Sequence, residues 1–492
     1  MSKARRRNRP EPLAVTRLPV TFTRDNRRVI TRFFDPGGEA RIRSVVERVA
    51  QLSDSEVTRW LELVLLRFRT RHSNIAAVFE QHYDNAMSTI GEANTVTSNR
   101  RLLIGSYFTM EYSIESAALF NPSIIQHPNQ RDLPDGAVRF ILSLRATGEG
   151  HVSSIVFRSG VIGSDHDIRM DPPSRFTHPI SVSPDKQYNK PHFRRKLTEM
   201  AVHGTAVNLV LERLDDSFTM AQLEHAIGAA RAAPDRHLSE DAIEAMRWLA
   251  RSNYQLELPR DAELSEMVIF PQTKNESRGI EDLRMVRFVD DDGTVTYYGT
   301  CSAFDGFRVL PQLIETTDFF KVGVHTLNGA RVQAKGMALF PRRIGGDYVM
   351  CSRIDGENLY IMRSDMIHFW ETAELLQTPK HPWEFVQIGN CGSPLETPEG
   401  WLLLTHGVGP MRFYAIGAML LDLDDPLKVI GVLDEPLIMP SEKERDGYVP
   451  NVVYSCGAMI HDGQVYIPFG TSDTATRVAT VSLDRLLDRL VS

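Results

Sequence analysis

A turn-plus-strand unit recurs through this 492-residue chain. Asp292-Gly293 precedes Tyr297-Tyr298, Gly345-Gly346 precedes Tyr348-Val349, Glu399-Gly400 precedes Trp401-Leu402, and Asp462-Gly463 precedes Val465-Tyr466. An earlier copy, Asp135-Gly136, stands before Val138 and Phe140. The last four glycines are 53, 54 and 63 residues apart. Second polar turns follow at Thr317-Asp318, Ser364-Asp365, Asp424-Asp425 and Ser482-Leu483-Asp484. Glycine behind an acidic residue suits a tight hairpin turn, and a period near 50 leaves room for about four short strands. Five such units predict a mainly β fold, a five-bladed β-propeller over residues 101–492.

Two stretches do not fit that period. The first two turn glycines, Gly136 and Gly293, are 157 residues apart, about a hundred more than one unit needs. Residues 190–262 are rich in Ala, Leu, Glu and Arg, with Leu238, Ile243, Met246 and Leu249 near helical spacing, so a helical insertion between the first two units is expected. Its flanks, 165–191 and 253–275, read as surface connections. Upstream, Ile42, Val45, Val46, Val49 and Leu52 fall on one helical face. Ser53-Asp54-Ser55-Glu56 forms a capping-box pattern ahead of Val57, Trp60, Leu61, Val64 and Phe68. A third helix is expected to start at Ser73. The reading is a flexible tail over 1–37, a helical extension over 38–100, and the β body with its insertion. The amphipathic helices need a partner, either their own β body or a second copy in a homo-oligomer.

Composition narrows the function classes. Lys plus Arg number 56 against 63 Asp plus Glu, a net charge of -7, which gives no field to draw in nucleic acid or an anionic membrane. The basic run at residues 3–9 reads as a solvated terminus, and no apolar stretch has the length of a membrane span. Cys301, Cys351, Cys391 and Cys456 are too far apart for a zinc site or disulfide framework, so reduced core cysteines in a cytoplasmic protein are expected. No phosphate loop, Rossmann glycine motif, HExxH or GxSxG is present, and the histidines do not cluster at ligand spacing, so no metal or organic cofactor is expected.

What remains is a set of polar residues inside apolar strand segments, costly unless paired or used. Gly279-Ile280-Glu281-Asp282-Leu283-Arg284 places two carboxylates and a guanidinium at the head of a strand, and alternation would turn Asp282 and Arg284 to one side. A structural ion pair is the plainer meaning of that spacing. Phe120-Asn121-Pro122-Ser123 puts an amide in an Asn-Pro turn. Lys335 and Arg353 bracket two successive strands, and His406 ends the run from Trp401.

Together with Lys335-Gly-Met-Ala-Leu-Phe-Pro341, Gly400-Trp-Leu-Leu-Leu-Thr-His406-Gly407 and Gly447-Tyr-Val-Pro-Asn-Val453, these segments resemble the ordered motifs of glycoside hydrolase family 130. The resemblance runs from about residue 101 to 490. It implies a five-bladed propeller acting on β-mannosides, as an inverting phosphorylase or an inverting hydrolase. It implies Asp282 as the general acid acting through a sugar hydroxyl, with Arg284 holding its position and Glu281 able to share the task. A departing sugar oxygen needs a proton from such a carboxyl, while phosphate as nucleophile needs cations to aim it. Lys335, Arg353 and His406 occupy the matching phosphate positions. Asn121, Arg145, Asp305, Arg308, Tyr448 and Asp473 are implied to grip sugar hydroxyls.

The sequence departs from the family pattern at three places. Leu283 replaces the usual Pro between the catalytic Asp and Arg. Gln387 and Glu396 stand where phosphate-using relatives often carry another basic, positively charged side chain, which keeps hydrolysis open with Glu396 or Glu444 activating water. The expected activity is phosphorolysis of β-mannosides, β-1,2-linked manno-oligosaccharides above all, with inorganic phosphate as co-substrate and α-mannose 1-phosphate as product. Hydrolysis and glycan binding without turnover are the alternatives.

Overall fold

The computed structural model describes residues 13–91, 96–179, 181–183, 186–232, 239–332 and 335–492. The basic run at 3–9 and Leu238 lie outside them. Each of the five turn glycines is used as expected. Gly136 leads into the strand Val138–Thr147, Gly293 joins Gly279–Val289 to Val295–Phe304, and Gly346 leads into Tyr348–Ser352. Gly400 opens Gly400–Val408, and Gly463 leads into Gln464–Thr471.

The sheets those hairpins build correct the expected five-bladed propeller. Among the described residues the strands lie in six open sheets of twelve, five, five, four, two and two strands, none closing on itself, combined with helices in a mixed α/β fold. The reason is a single parallel pairing, Gly279 with Ser153, which joins the strands of the first unit to those of the second in one twelve-stranded sheet. A hairpin period reports local turns; it does not say which hairpins share a sheet.

Apolar cores lie between consecutive sheets. Val286 and Phe288 pack with Met350 and Met362, Val349 and Ile361 with Trp401 and Leu403, and Leu404 and Ile416 with Ile467 and Phe469. The strand Gly400–Val408, buried along its whole length, is covered on both faces and so reads as a continuous apolar run. All four cysteines are buried and free of disulfide bonds.

Within the stretch read as a tail, Thr16–Phe22 pairs with Ala475–Ser482 and Val29–Phe33 pairs with Thr109–Ser113. Four helices follow, Glu39–Ala50, Asp54–Phe68, Ile75–Ile90 and Ser98–Tyr107. The Ser53/Glu56 capping box forms as read. The buried ion pairs of Glu115 with Arg28 and Arg158, both 2.8 Å, fasten the N-terminal strands to the body.

The insertion contains Lys190–Glu199, Thr205–Leu211, Met220–Arg231 and Glu240–Arg251, which share an apolar cluster of their own including Leu197, Leu223, Ile243 and Leu249. Its flanks are not surface connections: Tyr254–Glu257 pairs with Lys321–Thr326 and Met267–Ile269 pairs with Ser153–Ile162. No helix among the described residues is long and apolar enough to cross a membrane.

Candidate active site

Asp282 and Asn121 sit in two matching defects of the large sheet. Between Glu281 and Arg284 the strand carries one residue more than the facing Thr300–Ser302 segment, and between Phe120 and Ser123 one more than Ser143–Arg145. The extra residues adopt left-handed backbone, with φ 56° at Asp282 and φ 48° at Asn121. Asp and Asn tolerate this region better than other side-chain-bearing residues, and a bulge re-aims the side chain it carries. Here it aims the Asn121 Nδ2 at Asp282 Oδ1, 2.8 Å away.

The bulge also overrides strand alternation. Glu281 and Asp282, adjacent in sequence, both meet Arg145: its Nη2 donates to Glu281 Oε1 at 2.7 Å and its Nη1 to Asp282 Oδ1 at 3.3 Å. Arg145 is itself steadied by Ser153 Oγ at 2.9 Å. Lys335 Nζ donates to the other oxygen of Glu281 and lies over the Phe304 ring. Arg284 does not pair with the Asp282 carboxylate; its Nη1 bonds the Asp282 carbonyl at 3.0 Å and its Nη2 the Tyr454 hydroxyl at 2.7 Å. Burial pushes the Asp282 carboxyl up, but Arg145, Arg284, the Asn121 amide and Lys335 outweigh it and hold it below its ordinary value. Asp473, in the turn after Gln464–Thr471, moves the other way: burial and the Asp282 charge push it up to about 6 against Arg145 and Arg412.

Tyr454 links this carboxylate group to a second cluster around His406. Its ring meets His406 edge-on at 4.8 Å. Arg353 Nη1 donates to His406 Nε2 at 3.1 Å, and His406 Nδ1 donates to the Asn390 carbonyl at 3.3 Å. Burial, then Arg353 and Arg284, push His406 far below its ordinary value, so it is a neutral hydrogen-bonding group rather than a third cation. The Gln387 amide sits 3.2 Å from the same His406 nitrogen. Asn121 Oδ1, Arg284 Nε and Arg353 Nε are buried without a protein partner.

The structure therefore brings together Asn121, Arg145, Glu281, Asp282, Arg284, Lys335, Arg353, His406 and Asp473. Other residues singled out by the sequence sit differently. The Asp305 carboxylate takes the amides of Phe307 and Arg308 in its own turn, and Arg308 is exposed. Tyr448 is 69% exposed and stacks on His151 at 5.4 Å. Glu396 is held by Arg342 at 2.8 Å, and Glu444 by Arg17 at 3.0 Å through both of its oxygens, neither in contact with the Asp282 group. Sequence reasoning missed Ser153, Tyr454 and Asn390; Tyr454, directly after the Gly447–Val453 motif, was the one within reach. Among the described residues no cluster of His, Cys, Asp or Glu is arranged to hold a metal. A cavity of about 1020 Å³ between insertion and body, lined by Tyr188, Trp248 and Tyr254, lies apart from these residues. So does one of about 520 Å³ beneath the N-terminal helices, lined by Arg32, His72 and His178.

Residues 260–491 match the family model for glycoside hydrolase family 130, described as beta-1,4-mannooligosaccharide phosphorylase. The match contains Asp282, Lys335, Arg353 and His406 but not Asn121, Arg145 or most of the insertion. The 1,2-beta-oligomannan phosphorylase of Thermoanaerobacter sp. (strain X514) is 34% identical over 223 residues, 45% of this chain and 74% of that one. A beta-1,2-mannobiose phosphorylase of the same organism is 33% identical over 226 residues, covering 44% and 72%. The solved beta-1,2-mannobiose phosphorylase from Listeria innocua, in complex with beta-1,2-mannobiose, is 21% identical with a TM-score of 0.45, covering 77% of this chain and 93% of that one. With a third of the aligned residues shared across about three quarters of both Thermoanaerobacter enzymes, the chain belongs to glycoside hydrolase family 130 and is a carbohydrate-active enzyme.

Proposed function

We propose that the chain is an inverting phosphorylase of β-mannosides, β-1,2-linked manno-oligosaccharides above all, which uses inorganic phosphate and releases α-mannose 1-phosphate. The observation that carries this reading is the junction of two groups: the Asp282 carboxylate, and the Arg353/His406 pair joined to it through Tyr454 and Arg284. Asp282 supplies the proton, by way of a sugar hydroxyl, to the departing glycosidic oxygen, assisted by Glu281. A phosphate oxygen attacks the anomeric carbon from the opposite face, forming the C–O bond as the glycosidic bond breaks, so the configuration inverts. Arg353 and Lys335 bind the dianion, with neutral His406 accepting a hydrogen bond from its hydroxyl through Nε2. Asn121, Arg145 and Asp473, which face the Asp282 carboxylate, hold the sugar hydroxyls.

Hydrolysis would need a carboxylate base opposite Asp282. Both acidic residues named for that task are committed to arginines elsewhere, Glu396 to Arg342 and Glu444 to Arg17. The phosphate reading is tested by calorimetric titration of inorganic phosphate into the wild type and Arg353→Ala. Removing one charge-assisted contact to the dianion is expected to weaken binding by about tenfold or more; equal affinity would overturn it.

A further inference from the structure

A buried charged group of the insertion reaches into the body. Lys196, on the helix Lys190–Glu199, is 6% exposed. Its ammonium donates to Asn253 Oδ1 at 2.9 Å, to Thr326 Oγ1 at 3.0 Å and to the Thr326 carbonyl at 3.1 Å, one acceptor for each of its three protons. Asn253 Oδ1 also accepts the Thr326 amide at 3.0 Å, and Asn253 Nδ2 bonds the Leu249 carbonyl at 2.8 Å, tying the end of the insertion to the same residue. Thr326 is the last residue of Lys321–Thr326, where the connection carrying Lys335 begins. Asn328 extends the lattice: its Nδ2 donates to the Thr326 carbonyl at 2.7 Å and its backbone pairs with His368 and Trp370. At the far end, Thr300 Oγ1 donates to the Met337 carbonyl. Lys335, whose ammonium donates to Glu281, lies between these two anchors in sequence.

An apolar side chain of this length would fill the space without the desolvation cost of a buried ammonium. What the charge adds is direction, because it fixes where Thr326 and Asn253 point. We infer that Lys196 is a positioning residue that braces the root of the 327–337 connection, and that the helical insertion thereby sets the placement of Lys335 in the active site. Lys196 and Asn253 lie outside the stretch that matches the family model, residues 260–491. The role of Lys335 toward phosphate rests on the proposed function; the bracing of the connection does not.

The surroundings make the brace sensitive to pH. Burial, then Lys186, hold Lys196 down to about 7, opposed by Glu199. A neutral amine has two protons for three acceptors, so the brace weakens as pH rises through that value. The other groups facing it are His192 and Arg195 on its own helix, His325 and His368 with rings 4.9 Å apart, Glu315 beside His325, and Glu371 beside Glu199. Burial keeps both His325 and His368 neutral over this range, with His368 lowered to about 3, so neither titrates with Lys196.

The test compares wild type with Lys196→Met and Thr326→Val by amide exchange at residues 327–337, melting temperature, and KM for phosphate, between pH 6 and 8.5. Lys196→Met is expected to melt no lower than wild type, to exchange roughly tenfold faster at 327–332 at pH 6, and to raise KM for phosphate roughly tenfold with kcat less affected. The wild-type exchange, corrected for its intrinsic rate, should approach that of the variant above pH 7, and the variant should show no such step. Taking the ratio of the two enzymes cancels the titration of phosphate itself. Wild-type exchange and KM in both variants would overturn the inference, as would the same pH step in Lys196→Met. If Lys196→Met does not fold, Thr326→Val decides by the same readouts. If the wild type shows no phosphate-dependent turnover, the function is wrong while the exchange data still decide the brace.

Discussion

Asp282 illustrates how far a single residue can be read from sequence. The Glu281-Asp282-Leu283-Arg284 segment was legible as a place where charge interrupts an apolar strand, but strand alternation pairs Asp282 with Arg284 and turns Glu281 away. The bulge reverses that, setting both carboxylates on Arg145 and leaving Arg284 to Tyr454. A bulge depends on a partner strand far away in sequence, so no local pattern announces it. Asp282→Asn is expected to lower kcat/KM by about 10²- to 10⁴-fold while phosphate still binds, as measured by steady-state kinetics and calorimetry. The neighbouring cations favour the ionised form of Asp282. A phosphate dianion would offset those cations and raise the carboxyl, so phosphate binding should take up protons, seen as a binding enthalpy that varies with the ionisation enthalpy of the buffer. Asp473 gives a separate signature. Its folded value, raised to about 6 from 3.8, means the folded state binds the proton more tightly, so its contribution weakens stability as pH rises from about 4 to 6. The melting temperature of Asp473→Asn should therefore gain on that of wild type across this interval; a constant difference would contradict the raised value.

At the scale of elements, the helices and hairpins followed their sequence signals because those signals are local. Ser53 and Glu56 cap Asp54–Phe68 as their spacing requires, and the five turn glycines each lead into the expected strand. The assignment of hairpins to sheets was not legible, since the Gly279 to Ser153 pairing joins segments separated by the whole insertion. Close approach between elements is equally hidden. Gly105, on Ser98–Tyr107, lies so near Ile75–Ile90 that an added Cβ would fall 1.7 Å from the Phe79 carbonyl oxygen. Gly105→Ala is expected to cost about 1–3 kcal/mol in urea unfolding, with unchanged activity per folded molecule because the contact is remote from Asp282.

At the scale of the whole molecule, the N-terminal strand is joined to the C-terminal sheet. Thr16–Phe22 pairs with Ala475–Ser482, and Arg17 places its guanidinium on buried Glu444. A chain starting after residue 22 should melt several degrees lower, because it uncovers a strand edge and removes the Arg17 guanidinium from buried Glu444, leaving it the Ser441 amide and the more distant Arg477, 3.9 Å away. An unchanged melting curve would contradict the structural role given to this strand. The same pairing accounts for Glu444, which the sequence offered as a catalytic base and the fold commits to an arginine. The central claim is phosphorolysis, and the most direct measurement is product analysis after incubating the enzyme with β-1,2-mannobiose, with and without inorganic phosphate. The account predicts α-mannose 1-phosphate and mannose only when phosphate is present; release of free mannose at the same rate without phosphate would contradict it.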